Sequence, residues 1–351
     1  MNLVQILIIA VTSIYSFNSA AALEIESFTT ESFYQTYDRT TDTCSRFFDE
    51  TIGNIPSPDK LGKIIGAKPI GKERLPLYIY LPGSFQPVDT EISRLHVERM
   101  ARLGYFAVAI RYPNANYPLS CEHDSNKPEL ESFDDKARCL FSNEREDSAV
   151  SKLCALGEVD CEKDLVVHGF SQGAQLAAMA KRYNKKFRKA LLYGAGNYNL
   201  FTKVKYPCVE QAEDSFAPYE IRSLVGDQDI FFGGANIITT AGNIHRIDRI
   251  ITNGLVKQQR ALTAKTTCGR LQGNCLNVDG SGYYIVRGYE TENNCSSHGF
   301  FTINTNSPTP CEGLYIRPDR SYLSKQGSLS ERVYPWSLDQ SFHWLTQRNV
   351  R

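Results

Sequence analysis

The sequence predicts an α/β fold in which a mostly parallel central sheet carries helices on both faces. Apolar runs without alternation, such as Leu165–Val167, are typical of interior strands that are covered on both sides. Segments of helical periodicity, such as Thr90–Leu103, separate these runs. Such an alternation of strands and helices forms parallel sheets through right-handed crossovers. The chain of 351 residues is long enough for one large domain of this kind.

The N-terminus has the features of a secretory signal. Leu3–Val11 is apolar apart from Gln5, and the small residues Ser19–Ala22 suit cleavage. We therefore expect residues 1–22 to be a signal peptide and the protein to be secreted. An uncleaved membrane anchor is the alternative, but polar residues within Thr12–Asn18 interrupt the ~20 apolar residues that a span needs. We expect no stable membrane anchor.

Residues 23–71 are expected to form an N-terminal arm, and residues 72–351 the main domain. The arm is polar and contains Pro56 and Pro58, which favour loops. In the main domain the expected strands are Leu75–Leu81, Tyr105–Ile110, Leu165–His168, Lys189–Tyr193, Ile221–Val225 and Gly282–Glu290. The expected helices are Thr90–Leu103, Asn143–Leu156, Gln172–Ala180 and Trp336–Arg348. We expect an irregular segment at Arg111–Phe141 and an insertion at Gly233–Cys275.

The charge balance excludes two classes of partner. The chain has 39 basic and 39 acidic residues, and no basic stripe stands out. Phosphate contacts need clustered Lys and Arg, so we expect no nucleic-acid partner. The same balance argues against electrostatic binding to anionic membranes.

The ten cysteines all follow the expected signal peptide. An even number is typical of disulfides in an oxidising compartment, and we expect loops that are stapled by such bonds. Sequence alone does not fix the pairing. Short separations favour Cys121 with Cys139, Cys154 with Cys161, Cys268 with Cys275 and Cys295 with Cys311, which leaves Cys44 with Cys208. A metal site at Cys295–His298 is the alternative, but no second ligand pair has zinc-finger spacing.

The turn after the expected strand Leu165–His168 is the main candidate for chemistry. It reads Gly169-Phe170-Ser171-Gln172-Gly173, a G-x-S-x-G sequence that leads directly into a helix. The glycines allow two backbone segments to approach closely, so the turn can be strained and can lift the Ser171 hydroxyl above the sheet. A chance turn rich in Gly and Ser is the alternative. In this strand–turn–helix setting Ser171 is a candidate nucleophile.

A nucleophilic serine needs a base and a carboxylate that orients the base. In a sheet of this kind they follow the serine in the order acid, histidine, each at the carboxyl end of a strand. Asp229 and Asp227 both follow Ile221–Val225, and we favour Asp229 because it lies further past the strand end. His298 lies eight residues beyond Gly282–Glu290 and is the favoured base. The competing histidines are His96, His123, His168, His245 and His343.

The oxyanion of a tetrahedral intermediate needs backbone donors. One is the N–H of Gln172, the residue after the candidate nucleophile. The second is expected in the loop after Leu75–Leu81, where the N–H of Ser84 or Phe85 is the candidate and Gly83 allows close approach. An ordinary turn between prolines is the alternative.

These residues resemble those of α/β-hydrolases. The strand, the pentapeptide Gly169–Gly173 and the helix carry the likeness, together with Asp229 after "LVGDQ" and His298 in "SSHGFF". The pentapeptide is similar to that of acyl-protein thioesterases and carboxylesterases, and close to the G-Y-S-Q-G of cutinases. The resemblance covers roughly Lys72–Arg351. It implies an α/β-hydrolase fold and a serine hydrolase that acts on carboxylic esters or thioesters without a cofactor.

The chain departs from those families in two places. Asp229 and His298 are 69 residues apart, and a cysteine-rich insertion occupies Arg111–Cys161. Both lie where loops shape the substrate site, so the ester could be a small molecule, a lipid or a polymer. A peptidase or amidase with the same triad, or a non-catalytic binding protein on this scaffold, is the alternative. We expect a monomer without cofactor or metal.

Overall fold

A computed structural model describes fourteen segments of the chain. They are residues 23–31, 36–45, 63–115, 117–125, 131–196, 198–199, 204–210, 216–226, 228–229, 231–232, 274–276, 280–286, 296–301 and 338–347. The expected signal peptide and most of the insertion Gly233–Cys275 lie outside these segments. In the described segments no helix has the length and apolar character needed to cross a membrane.

The described strands are β1 Ile25–Glu31, β2 Thr36–Asp38, β3 Thr43–Ser45, β4 Lys63–Pro69, β5 Leu77–Leu81, β6 Phe106–Ile110, β7 Leu165–Phe170, β8 Lys189–Tyr193, β9 Tyr198–Asn199, β10 Val204–Lys205, β11 Ile221–Gly226, β12 Asn274–Leu276 and β13 Gly282–Val286. The described α-helices are α1 Glu91–Arg102, α2 Phe133–Phe141, α3 Ala149–Cys154, α4 Gln172–Tyr183, α5 Pro207–Glu210 and α6 Leu338–Thr346. Short 3₁₀ helices occur at Pro218–Glu220 and His298–Phe301.

Among the described strands, nine form one sheet in the order β1-β4-β6-β5-β7-β8-β11-β13-β12. The neighbours from β6 to β13 run parallel, whereas β1, β4 and β12 make the antiparallel pairs. Parallel neighbours that are not consecutive require crossovers, and helices provide them. The order reverses beside β5, so the chain builds outwards from there in both directions. This mostly parallel sheet with helical crossovers is the α/β architecture that the sequence predicts.

The central strand β5 shows why both faces of the sheet are covered. Its sequence LYIYL is fully buried. Leu77, Ile79 and Leu81 pack on the face that carries α2, α3 and α4, and Tyr78 and Tyr80 pack on the face of α1 and α6. Alternate side chains of a strand point to opposite faces, so apolar groups at every position demand helices on both sides.

Helix α1 begins and ends where the sequence predicts. The Thr90 hydroxyl accepts a hydrogen bond from the Ser93 N–H at 3.2 Å, which caps the first turn. Basic side chains in the last turn suit the negative end of the helix dipole. Gly104 follows with φ +95°, a conformation that ends helices and favours glycine.

Two segments that were expected to be irregular are ordered elements. Strands β1 and β4 lie within the expected arm and join the sheet, so the loop-like interpretation of these residues is wrong. Helix α2 lies within Arg111–Phe141, where no helix was expected. Its start is a capping box, in which the Ser132 hydroxyl and the Asp135 carboxylate each accept the other residue's backbone N–H.

Helix α3 is shorter than the expected helix Asn143–Leu156. It starts only after Ser148, whose hydroxyl accepts a hydrogen bond from the Ser151 N–H at 3.1 Å. The preceding residues form turns, in which Arg145 donates to the carboxylates of Asp42 and Asp147. Where a first helical turn was expected, the chain therefore forms a turn that Arg145 links to the β2–β3 hairpin.

The disulfides correct two of the predicted pairings. Cys44 is joined to Cys139 and Cys121 to Cys208, so the pairings Cys44–Cys208 and Cys121–Cys139 are wrong. Proximity in sequence misled here because the fold brings the β2–β3 hairpin onto α2, 95 residues later. Cys154 is joined to Cys161, as short separation favours. The predicted pairs Cys268–Cys275 and Cys295–Cys311 fall outside the described side chains.

Candidate active site

The carboxyl end of β7 turns abruptly at Ser171. The backbone of Ser171 has φ 53° and ψ −120°, a left-handed conformation that is uncommon for a residue with a side chain. Its N–H donates to the Tyr193 carbonyl at 2.8 Å, and its carbonyl accepts from the first turn of α4. The turn is therefore held from β8 on one side and from α4 on the other. Strain of this kind persists where the surrounding structure fixes it.

Gly169 and Gly173 are required by close backbone approaches. A Cβ atom on Gly169 would lie 2.2 Å from the Gly173 carbonyl oxygen. A Cβ atom on Gly173 would lie 2.3 Å from the Leu81 carbonyl oxygen and 2.6 Å from that of Pro82. Both distances are far below van der Waals contact. The two glycines of the G-x-S-x-G sequence therefore let the turn pack against itself and against the end of β5.

Asp229 lies after β11, fully buried. One carboxylate oxygen, Oδ1, accepts the N–H groups of Phe231 and Phe232 at 2.8 and 3.0 Å. The other oxygen, Oδ2, lies 2.6 Å from Nδ1 of His298. Two backbone donors thus fix the carboxylate and leave its second oxygen for the imidazole. The rejected alternative, Asp227, is outside the described residues.

His298 opens the 3₁₀ helix His298–Phe301, and its ring is largely covered. A carboxylate only accepts hydrogen bonds, so in the neutral imidazole the contact with Asp229 favours the tautomer that donates from Nδ1 and leaves Nε2 as the acceptor. The ring packs against Phe170 at 4.9 Å and Phe231 at 4.8 Å between centroids. Phe170 precedes Ser171 directly, so the imidazole lies beside the nucleophile turn.

Two further hydrogen bonds join the loop of Asp229 to the loop of His298. The Ser296 N–H donates to the Gln228 side-chain oxygen at 3.0 Å, and the Gln228 N–H donates to the Ser296 hydroxyl at 3.3 Å. Gly226 at the end of β11 allows this contact, because a Cβ atom there would overlap the Ser296 carbonyl oxygen. No sequence motif marks Gln228 or Ser296, apart from their closeness in sequence to Asp229 and His298.

The loop after β5 lies against Ser171. A Cβ atom on Gly83 would lie 2.8 Å from the Phe170 ring and 3.1 Å from the Ser171 Cβ, so a side chain at this position would press on both residues. Of the two candidate donors in this loop, Phe85 is wrong, because its N–H already donates to the Asn114 carbonyl at 3.0 Å. The described residues offer the Ser84 N–H no acceptor. Gln172, the third candidate, is the first residue of α4 and directly follows Ser171.

Two of the competing histidines lie on the α1 and α6 face of the sheet. His168 in β7 and His96 in α1 are fully buried, and their rings are 4.7 Å apart. His343 is exposed on α6, and His245 is outside the described residues. In the described part of the chain, no three His, Cys, Asp or Glu side chains come together as a metal site requires.

The structure therefore brings Asp229 and His298 together in a hydrogen bond and sets both beside the turn that carries Ser171. It also brings Gly83 and Ser84 to the same end of the sheet. Helix α4 starts at this point, so its positive end favours a developing negative charge. The arrangement is suited to nucleophilic attack by a serine on a carbonyl group.

Comparisons with known proteins give distant structural likenesses. No family model matches the chain, and no curated protein matches it. A crystal structure from Klebsiella pneumoniae subsp. pneumoniae MGH 78578, assigned as a dienelactone hydrolase, is 17% identical with a TM-score of 0.36, and the match covers 75% of this chain and 85% of that one.

Two further likenesses cover 50% of this chain. A hypothetical protein from Pseudomonas aeruginosa is 19% identical with a TM-score of 0.28. Brefeldin A esterase, a bacterial homologue of human hormone sensitive lipase, is 16% identical with a TM-score of 0.29. The chain spans 43% and 41% of these two proteins. All of these TM-scores are low, so the fold assignment rests on the strand order above.

Proposed function

We propose that this chain is a secreted serine esterase that cleaves carboxylic esters through an acyl-enzyme on Ser171. The observation that carries the proposal is the 2.6 Å contact between His298 Nδ1 and Asp229 Oδ2 beside a strained serine turn. A buried carboxylate that orients an imidazole is the arrangement that activates a serine hydroxyl. The similarity of the pentapeptide Gly169–Gly173 to those of esterases and thioesterases supports the substrate class.

In the first half of the reaction the Ser171 Oγ attacks the ester carbonyl carbon while His298 Nε2 takes the hydroxyl proton. Asp229 stabilises the imidazolium that forms and keeps its ring oriented. The carbonyl oxygen becomes an oxyanion, which the N–H groups of Ser84 and Gln172 bind. Collapse of this intermediate breaks the bond to the alkoxy oxygen. The alkoxy oxygen takes the proton from His298 and leaves as an alcohol.

In the second half water repeats the attack on the acyl-enzyme. His298 takes a proton from the water as its oxygen bonds to the acyl carbon. The same N–H groups hold the second oxyanion. Collapse releases the carboxylic acid and returns the proton to Ser171 Oγ. The enzyme is regenerated without an external oxidant, reductant or cofactor.

Secretion is part of the proposal. Its support is the N-terminal sequence and the three disulfides Cys44–Cys139, Cys121–Cys208 and Cys154–Cys161. Disulfides persist in oxidising compartments and are rare where thiols are kept reduced. A protein recovered from the culture medium that begins after residue 22 would agree with this.

The test is turnover of p-nitrophenyl acetate and butyrate by the mature chain and by Ser171→Ala. We expect the substitution to lower kcat by at least about 10³, since the nucleophile has no substitute. Ser341→Ala is the matched control, because Ser341 is also buried but lies on α6. It should keep wild-type rates.

A fluorophosphonate label identifies the nucleophile independently. Mass spectrometry should find the label on Ser171 and find none in Ser171→Ala. A label on another residue would show that the assignment is wrong. The p-nitroanilide of butyric acid separates an esterase from an amidase, and equal turnover of the amide would contradict the proposal.

A further inference from the structure

The loop that supplies Ser84 is held by residues that follow β6. The Asn114 side-chain amide donates to the Gly83 carbonyl at 2.6 Å and to the Gln86 carbonyl at 2.8 Å. The Asn114 backbone carbonyl accepts the Phe85 N–H at 3.0 Å. One side chain and its own peptide group therefore bind the loop on both sides of Ser84. Asn114 is almost fully buried, at 2% exposed, so water competes weakly for these bonds.

Tyr112 adds a bond to the same loop. Its hydroxyl donates to the Pro82 carbonyl at 2.7 Å, and the side chain is fully buried. Burial holds the pKa of Tyr112 well above its usual range, so the hydroxyl keeps the proton that it donates. Within the loop, the Gly83 N–H donates to the Gln86 side-chain oxygen at 2.9 Å.

The loop contains a residue whose backbone conformation is unfavourable without support from its surroundings. Phe85 has φ 60°, which is unfavourable for a bulky side chain. Its ring is 76% exposed, so burial of the ring does not compensate for the strain. The bonds from Asn114 and Tyr112 instead hold the chain on both sides of Ser84. Strain that is fixed in this way marks functional positions.

Asn114 lies near the start of the cysteine-rich insertion Arg111–Cys161 and is anchored to helix α2 of the same insertion. The buried ammonium group of Lys136 on α2 donates to the carbonyl of Pro113 at 2.5 Å, and α2 is tied to Cys44 through Cys139. Helix α2 thus fixes the peptide that carries Asn114. Helix α2, which the Cys44–Cys139 disulfide ties to the β2–β3 hairpin, is therefore linked through Asn114 to the loop that carries Ser84.

We propose that Asn114, assisted by Tyr112, is a positioning residue for ester hydrolysis. Asn114 holds the loop Gly83–Gln86 so that the Ser84 N–H binds the oxyanion. The inference rests on the proposed function and goes beyond it in selecting the second donor and the residue that places it. The hydrogen bond from the Ser84 N–H is weak to the ester carbonyl oxygen of the bound substrate and stronger to the oxyanion of the tetrahedral intermediate.

The test compares Asn114→Asp with wild type in the full mature chain. The substitution keeps the shape of the side chain and removes both donated bonds. We expect kcat for p-nitrophenyl butyrate to fall about 10- to 100-fold, since a lost oxyanion donor costs about 10²–10³, while KM stays within about twofold. The affinity for phenylboronic acid, which forms a tetrahedral adduct on the serine, should fall by the same factor as kcat.

Asn184→Asp is the matched control. Asn184 is equally buried and also fixes a turn, but it lies at the far end of α4, about 20 Å from Ser171 at 1.5 Å per residue. It should lower thermal stability without changing kcat per active site, as titrated with the fluorophosphonate. If Asn114→Asp also leaves kcat per active site and boronate affinity unchanged, the positioning role is overturned.

Tyr112→Phe decides the question if Asn114→Asp does not fold. It keeps the ring and removes only the bond to Pro82, and it should lower kcat and boronate affinity together by about threefold or more. No change in either would overturn the proposal. A wild-type chain that neither turns over the ester nor is labelled at Ser171 would instead overturn the proposed function itself.

Discussion

At the scale of single residues, the site depends on the absence of a side chain at Gly173 and Gly83. Gly173 lets the carbonyl groups at the end of β5 come closer than any side chain permits, and Gly83 leaves room for the side chains of Phe170 and Ser171. Gly173 is the more informative of the two because local and tertiary effects oppose each other there. It lies inside α4, where replacement of glycine by alanine favours the helix by about 1 kcal/mol. The same methyl group would press on the carbonyl groups of Leu81 and Pro82.

Gly173→Ala should therefore destabilise the protein, by about 1–3 kcal/mol net, because overpacking against fixed backbone outweighs helix propensity. It should also reduce ester hydrolysis, since the displaced Pro82 belongs to the loop of Ser84. Urea unfolding followed by circular dichroism measures the first effect. Gly157→Ala is the control, because a Cβ atom there meets nothing within 4 Å. A Gly173→Ala protein more stable than wild type would contradict the close approach.

At the scale of elements, the β2–β3 hairpin is attached to α2 by a disulfide and by polar contacts. Arg39 pairs with Asp135 at 2.5 Å, and the Tyr37 N–H donates to the Glu131 carboxylate at 2.8 Å. The Cys44–Cys139 bond closes 95 residues of chain. Helix α2 in turn packs along α4, the helix that begins directly after Ser171. The hairpin therefore supports the site although it lies outside it.

Loss of this disulfide should be more damaging than loss of the short one. By the chain-entropy estimate a 95-residue loop is worth about 4–5 kcal/mol, and a loop of seven residues about 2–3 kcal/mol. The double variant Cys44→Ser, Cys139→Ser should then have the lower midpoint in urea, with Cys154→Ser, Cys161→Ser as the comparison. Peptide mapping without reductant should find Cys44 joined to Cys139. A Cys44–Cys208 peptide would refute the pairing.

At the scale of the whole molecule, the sequence predicts elements whose signal is local. The strands β5 to β8 and β11 are apolar runs, and α1 and α4 have clear helical periodicity. Strand β1 at the sheet edge has only two apolar residues, Ile25 and Phe28, and they do not alternate with polar ones. Strand β4 contains Gly66, which suggests a loop. Gly66 is in fact required by packing, since the Phe28 ring occupies the space of its side chain.

The residues of the candidate site also differ in whether a local sequence signal predicts them. Ser171 is visible in one pentapeptide. Asp229 and His298 were selected by one rule of sheet topology, that strand ends meet, and the structure does bring them into contact. Asn114 has no such signal, because its bonds to Gly83 and Gln86 depend on how two loops pack. The disulfide partner of Cys44 is equally non-local.

Two buried histidines face each other on the α1 and α6 side of the sheet. His96 and His168 are fully buried, and neither His96 nitrogen has a partner among the described residues. Aromatic rings surround them, those of Tyr80 and Phe342 among others, and Tyr78 binds His168 Nδ1 at 2.8 Å. Burial lowers the pKa of His96 to about 3 and that of His168 well below its usual value. Both imidazoles are therefore neutral in the folded protein.

The whole molecule should consequently lose stability in mild acid. Below pH about 6.5 the unfolded chain binds protons at both imidazoles and the folded chain does not, so the free energy of unfolding falls as pH drops towards 3, by about 1.4 kcal/mol per pH unit for each histidine. In urea unfolding between pH 4 and 8, His96→Phe should remove one such contribution to the slope. His343→Phe, on the exposed face of α6, is the control and should keep the wild-type slope. An unchanged slope in His96→Phe would mean that water or acid reaches this cluster in the folded state, since only an imidazole that stays neutral makes folding sensitive to pH in this range.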